Sequence, residues 1–334
     1  MIYLNDIKIL FDYLKSNNQM VGLKKEGVRY FYRSLDSFDE WAASPLLGNF
    51  SPKDHFFPHD ELMFYFKAQK TIELKAEVQS SVLWAARPCD IQGILELERM
   101  FNQTEYKDPY FMQRFEKTLI VGMACTEPWP GCFCTSVGGS PYKKDGADIF
   151  IYPLENRYLI EVVSEKGEEA LKGLSAENAS DAESLISKGR ADAEDKIKPY
   201  KFEGIENKLK SMVDSGFWDS IHNPCIGCGT CAFVCPSCHC FDISDEAKGG
   251  RGLRSRQWDS CLFADYTLET SGHNPRPTGA QRWRQRLNHK FNYFVEVFGI
   301  YQCLGCGRCA RACPVNINIA EMATKAMEWA EPSE

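Results

Sequence analysis

The sequence contains no apolar run approaching the length of a bilayer-spanning helix, so membrane insertion is not expected. It contains no G-x-G-x-x-G; Gly250-Arg251-Gly252 comes nearest, and Ser255 stands where the third glycine would fall. A Walker A loop is also missing. These gaps leave no visible site for a dinucleotide or a nucleoside triphosphate. The first 18 residues lack a basic stretch followed by a continuous apolar one, so they do not read as a secretory signal, and a cytoplasmic protein is expected. Ile7, Leu10, Phe11 and Leu14 instead trace one face of a helix. Positive charge is not in excess: a net charge of −7 argues against a dedicated nucleic-acid binder. Cysteine is missing before Cys89, and again between residues 135 and 224.

Against that background the 15 cysteines stand out. With no export signal in view they point to metal ligation or redox work, not to structural disulfides. A chain of 334 residues has room for two domains and a substantial core, so it does not need disulfide staples. The expected class is α+β, with an N-terminal α/β domain over 1–200 and a two-cluster ferredoxin-like domain over 201–334.

In the first part, "SVLWAARPCDIQGILELERMF" reads as a buried strand, a turn at Arg87-Pro88 and a helix capped by Asp90. Ile91, Ile94, Leu95 and Met100 give that helix its buried side. "KTLIVGMACTEP" is a second buried strand, while "VGLKKEGVRYFYRSL" and "ADIFIYPLENRYLIEVV" read as hairpins. Residues 164–199 hold no aromatic residue and no cysteine, and read as an exposed, partly helical boundary. Beyond them Ile205, Leu209, Met212 and Val213 share a helical face.

Cys225-x2-Cys228-x2-Cys231-x3-Cys235-Pro236 is followed by Cys303-x2-Cys306-x2-Cys309-x3-Cys313-Pro314, with identical spacing. This is the signature of bacterial two-cluster ferredoxins, in which the fourth cysteine of each run serves the other cluster. Three thiolates on a tight loop with Gly227, Gly229, Gly305 and Gly307 converge on one cubane, and proline stops the chain from winding straight into a helix. The expected ligand sets are Cys225, Cys228, Cys231 and Cys313 for one 4Fe–4S cluster, and Cys303, Cys306, Cys309 and Cys235 for the other. Zinc knuckles use separated pairs of ligands, which these runs do not resemble. Cys235-Pro-Ser-Cys238-His239 also fits covalent haem attachment, and its two cysteines a thioredoxin-like pair, but Cys235 is already committed to a cluster.

Between the runs lies an insertion of 67 residues, 236–302. From Lys248 to Lys290 it carries nine Lys or Arg against three Asp or Glu. Arg282, Arg286 and Lys290 fall on one helical face. Pairing with carboxylates is the plain account, a positive collar around anionic clusters the sharper one, and a nucleic-acid groove the third. Cys238, Cys240 and Cys261 pack as small hydrophobes near a cluster, or hold a further cluster with a noncysteine fourth ligand.

Cys89 and Cys125 each fall just past a buried strand, at the sheet edge where ligands gather in α/β folds. "GMACTEPWPGCFCTSVGGSP" adds Cys132 and Cys134 from a loop. Four thiolates predict a third 4Fe–4S cluster; zinc and unliganded core cysteines are the competing readings.

The strings "ARPCDI", "CFCTSVG", both cysteine runs, "CPSCHCFDI", "RSRQWDSC", "GHNPR" and "HKFNY" resemble a family of anaerobic iron–sulfur electron-transfer subunits. Its members serve anaerobic sulfite reductase, sulfhydrogenase (as the beta subunit) and heterodisulfide reductase (as an electron-input subunit). The resemblance implies a relay between a flavin- and NAD(P)-binding reductase subunit, which would carry the FAD, and a catalytic redox subunit, with no nucleic-acid partner. The relay itself has no catalytic residue. Two other readings remain open at this point: a substrate-reducing N-terminal cluster, and a structural or oxygen-sensing iron–sulfur protein.

Overall fold

Val82-Leu83-Trp84 and Leu119-Ile120-Val121 are continuous apolar runs, the pattern of strands covered on both faces. The computed structural model describes residues 1–43, 48–67, 70–73 and 78–330. Among these residues there are twelve strands. They are β1 (Ile2–Leu4), β2 (Gln19–Glu26), β3 (Arg29–Leu35), β4 (Asp60–Lys67), β5 (Lys70–Glu73) and β6 (Ser81–Ala86). The others are β7 (Thr118–Met123), β8 (Ile149–Pro153), β9 (Tyr158–Val162), β10 (Glu177–Asn178), β11 (Phe241–Lys248) and β12 (Arg251–Trp258). Two compact units divide the chain, one of 1–57, 77–135 and 139–198, the other of 58–76, 136–138 and 199–334.

The first unit is built on a sheet of order β10-β1-β9-β8-β7-β6-β2-β3. Its centre is parallel: β2 pairs β6, β6 pairs β7 and β7 pairs β8 in the same direction. The hairpins β2/β3 and β8/β9 occur where the sequence predicts them. Helix α1 (Lys8–Lys15) lays Leu10, Phe11 and Leu14 against Val82, Trp84, Val121 and Met123 on one face. On the other, α2 (Lys53–Phe56), α3 (Pro88–Phe101) and α4 (Pro109–Lys117) pack together through Phe56, Phe101 and Phe111. Gly122 of β7 has to be glycine here, since a Cβ would lie 2.8 Å from Ile91 of α3 and 2.6 Å from Phe150. The stretch 164–199 forms α5 (Glu165–Ala170), β10 and α6 (Ala182–Glu194), and all of it except Pro199 belongs to this unit.

Asp90 does not cap α3. Arg87 occupies the cap position without a side-chain bond, and Pro88 opens the helix with its φ already set. Asp90 lies inside the first turn, fully buried, and accepts a hydrogen bond from the Tyr32 hydroxyl at 3.0 Å. On the same helix the buried side is Ile91, Ile94 and Leu97, while Leu95 and Met100 are half-buried.

The second unit carries the antiparallel sheet β11-β12-β4-β5. Gly249 and Gly250, at φ +61° and +75°, turn β11 into β12 in the backbone form that suits strand twist. Arg256 of β12 is buried against Glu61 of β4, with Nε donating to Oε2 at 3.1 Å. The helices are α7 (Ile205–Ser211), α8 (Phe217–His222), α9 (Thr230–Phe233), α10 (Gly279–Asn288), α11 (Phe294–Phe298), α12 (Arg308–Ala312) and α13 (Ile319–Glu328). A π-helical segment, His289–Tyr293, joins α10 to α11. Val213, expected on the buried face with Ile205 and Leu209, lies past the end of α7 and is exposed.

Candidate metal centre

The two cysteine runs fold alike. Gly227 and Gly229 in the first, and Gly305 and Gly307 in the second, all have φ between +62° and +71°. That left-handed backbone suits glycine, and at Gly229 a Cβ would also sit 2.6 Å from the Phe263 ring. Gly229 and Gly307 then stand at the N-caps of α9 and α12, which present Cys231 and Cys309.

The thiols cross over. Cys225, Cys228 and Cys231 line one cavity, and Cys313 from the far run lines it with them, as does Cys309. Cys235, the last of the first run, sits within electrostatic range of Cys303 and Cys309. Ser237 donates to the carbonyl of Gln302 at 2.8 Å, and the Gln302 amide donates back to the Ser237 carbonyl at 3.0 Å. This stitch ties the exit of the first run to the entrance of the second.

Donors aim at the sulfurs. The amide of Gly227 reaches Cys225 Sγ at 3.4 Å, and that of Ile317 reaches Cys313 Sγ at 3.3 Å. Arg286 and Lys290, one helical turn apart, are 2% and 3% exposed. Lys290 Nζ donates to Cys235 Sγ at 3.4 Å and to Ser237 Oγ at 3.0 Å. Arg286 donates to the Cys231 carbonyl at 3.2 Å and approaches Cys238 Sγ at 4.0 Å. A hydrogen bond from Cys238, helped by both cations, holds the Cys235 thiol well below its usual range. Burial pushes Cys309 up to about 12 and also raises Cys231 and Cys303. Such thiols ionise when a cation compensates them, which is what ligation to iron supplies. Among the described residues no group of three or more His, Cys, Asp or Glu is set to hold a single metal ion. Convergent cysteines lining one cavity fit a multi-iron cage.

Residues 224–317 match the family model described as a 4Fe-4S dicluster domain. Over 312 residues the chain is 31% identical to sulfhydrogenase 2 subunit beta of Pyrococcus furiosus, covering 92% of each chain. The chain belongs to that family of iron–sulfur electron-transfer subunits. No solved structure matches it significantly. Among the described residues no helix is long and apolar enough to cross a membrane.

For this family member the basic insertion divides by residue. Arg254 pairs with Asp245 and Arg256 with Glu61, as the plain account expects. Arg282 donates to the carbonyls of Arg276 and Pro277. Arg286 and Lys290 serve the cysteines, and their spacing of four residues was the signal for it. Ser237 and Gln302 gave no signal in the sequence.

In the first unit, Cys89 lies at the second position of α3 and Cys125 two residues past β7, so both stand at the carboxyl edge of neighbouring parallel strands. Arg87 Nη1 bridges these strand ends by donating to the Ala124 carbonyl at 2.9 Å. Ala85, at φ +53°, sits in a register break of β6 and turns the chain toward Cys89. That backbone costs a non-glycine residue about 1 kcal/mol or more. Cys132 and Cys134 lie on a loop closed by the Cys125 amide donating to the Pro141 carbonyl at 2.9 Å. The same edge opens into a cavity of about 210 Å³ lined by Tyr32, Trp41, Arg87, Met123 and Tyr158.

Proposed function

We propose that this chain relays single electrons within a multi-subunit oxidoreductase. It would link a flavin- and NAD(P)-binding subunit to a catalytic subunit of the sulfite reductase, sulfhydrogenase or heterodisulfide reductase type. The crossing of the cysteine runs supports this reading: Cys313 joins Cys225, Cys228 and Cys231 around one cavity, while Cys235 lies in reach of Cys303 and Cys309 with buried Lys290 beside it. Cys225, Cys228, Cys231 and Cys313 hold one 4Fe–4S cluster; Cys303, Cys306, Cys309 and Cys235 hold the second. Cys89, Cys125, Cys132 and Cys134 hold a third, at the carboxyl edge of β6 and β7. Bound there, the clusters supply one-electron redox chemistry. The protein's part is to supply the thiolates and to aim backbone amides and the Lys290 ammonium at them. The sequence carries no dinucleotide fingerprint, so FAD and the collection of hydride belong to the partner.

Anaerobically purified chain should contain about twelve iron atoms and bleach with dithionite, yet leave NADH untouched until a flavoprotein is added. Turnover of NADH by the chain alone would defeat the relay.

The cavity beside Arg87 favours a second reading, in which the N-terminal cluster reduces a substrate directly. That reading requires the dithionite-reduced chain to be reoxidised catalytically by sulfite or polysulfide with no other subunit present. The relay reading requires that it is not.

A further inference from the structure

Three buried or half-buried cysteines in the second unit, Cys238, Cys240 and Cys261, are left over by the cluster assignments. They are not equivalent. Cys238 is engaged by Cys235 through a thiol hydrogen bond and faces Arg286. Cys240 and Cys261 are engaged with each other, thiol to thiol. The backbone holds them so. Cys240 directly precedes β11, Cys261 follows β12, and the ladder pair Phe241–Trp258 extends by one more bond, Asp259 N to Cys240 O at 2.9 Å. At fully buried Ser260 the chain turns, with Ser260 Oγ accepting from the Leu262 amide at 3.2 Å, and Cys261 comes back over Cys240. Asp259 stands opposite Cys240 in the ladder, and the turn at Ser260 returns Cys261 so that its thiol meets that of Cys240, the approach a disulfide requires.

We infer that Cys240 and Cys261 are a dithiol–disulfide couple that stores two electrons beside the ferredoxin pair. The inference rests on reading the two cysteine runs as clusters, which provide the electrons. In the oxidised couple one S–S bond joins the sulfurs. Each of the two reduced clusters gives up one electron, the S–S bond breaks, each sulfur takes one proton, and both clusters return to their oxidised level. Running backwards, the two thiols lose two protons and one electron goes to each cluster. Cys238 lies between, close to Cys261 on one side and bonded to Cys235 on the other. A couple of this kind matches a one-electron wire to a two-electron donor or acceptor.

The surroundings suit thiol–disulfide exchange. Hydrogen bonds from the Cys261 thiol, the Tyr266 hydroxyl and the Cys261 amide bring Cys240 down to about 6, so its attacking thiolate form is populated at neutral pH. A further cluster built on all three cysteines would instead need Cys238 to leave Cys235.

The test uses the full chain, purified anaerobically and oxidised mildly. Differential alkylation and peptide mapping of the wild type should find a Cys240–Cys261 linked peptide that disappears on reduction. A dithionite titration should consume two electrons more than the clusters account for. Cys240→Ser and Cys261→Ser should each lose those two electrons with iron unchanged. No linked peptide in the oxidised wild type overturns the proposal, and so does an electron count equal to the cluster count. Iron lost from both variants, with no linked peptide in the wild type, makes the pair metal ligands and also overturns it. Iron content and cluster spectra of the wild type report separately on the clusters themselves, and the wild-type mapping stands even where a variant misfolds.

Discussion

Lys290 is 3% exposed, and its ammonium faces Cys235 Sγ and Ser237 Oγ. An ammonium buried this deeply is tolerable where an anion compensates it, and a ligating thiolate is such an anion. Reduction adds negative charge to a cluster, so a cation beside one of its sulfurs favours the reduced form and raises the potential. Lys290→Met keeps the apolar stem and removes the charge with its hydrogen bond. With Cys235 ligating as proposed, its cluster should drop in potential by on the order of 60 mV, taking about 1.5 kcal/mol for a charged hydrogen bond. Iron content should stay the same. A potentiometric titration followed by electron paramagnetic resonance checks this, and an unshifted cluster would remove Lys290 from the electrostatics of the wire. The sequence made the stripe of Arg282, Arg286 and Lys290 visible through its spacing. It did not say that Arg282 would turn to backbone carbonyls while the other two turn inward, because that depends on which arc of α10 and of the π-helical segment after it the rest of the unit covers.

His55 shows the same logic at the level of packed elements. It sits on α2, with Nε2 2.9 Å from Ser81 Oγ and 3.2 Å from Thr118 Oγ1, the first residues of β6 and β7. Burial, with Arg114 adding to it, lowers its pKa from 6.5 to about 4. Between those values the unfolded chain binds a proton that the folded chain refuses, so stability is full above pH 6.5 and declines as pH falls toward 4. At pH 5 the loss should be about 2 kcal/mol, growing to a ceiling of about 3 kcal/mol. Urea unfolding at pH 7 and pH 5 measures it, and His55→Gln should flatten the difference; a wild type with equal midpoints would count against the buried neutral histidine. The strands this histidine joins were legible as apolar runs, and the hairpins β2/β3 and β8/β9 as alternating stretches around turn residues. The start of α3 departs from the pattern, since Asp90 has the chemistry of a cap but Pro88 opens the helix and Asp90 is taken up by Tyr32. The pairing of β4 with β12 was invisible: Arg256 meets Glu61 across 195 residues, and no local pattern encodes such a partner.

At the scale of the molecule the ferredoxin pair was the most legible part, because ligand spacing in a tight loop is itself geometry. The N-terminal cysteines were legible only as far as the strands that carry them. Cys89 and Cys125 could be brought to one sheet edge by reasoning about buried parallel strands, but the path of the loop carrying Cys132 and Cys134 follows no periodicity. The strained Ala85, the Arg87 bridge and the closed loop after Cys125 give that edge a built character that four core cysteines would not need. These four cysteines all belong to one compact unit, while the eight of the paired runs belong to the other. Cys89→Ser should therefore lose about four of about twelve iron atoms and one set of spectroscopic features, leaving the ferredoxin pair's signals in place. Iron and sulfide analysis with low-temperature electron paramagnetic resonance of the reduced protein reads both quantities at once. An unchanged iron count would show that Cys89 ligates nothing. About eight iron with one zinc in the wild type would assign the edge to zinc and shorten the wire to its ferredoxin half.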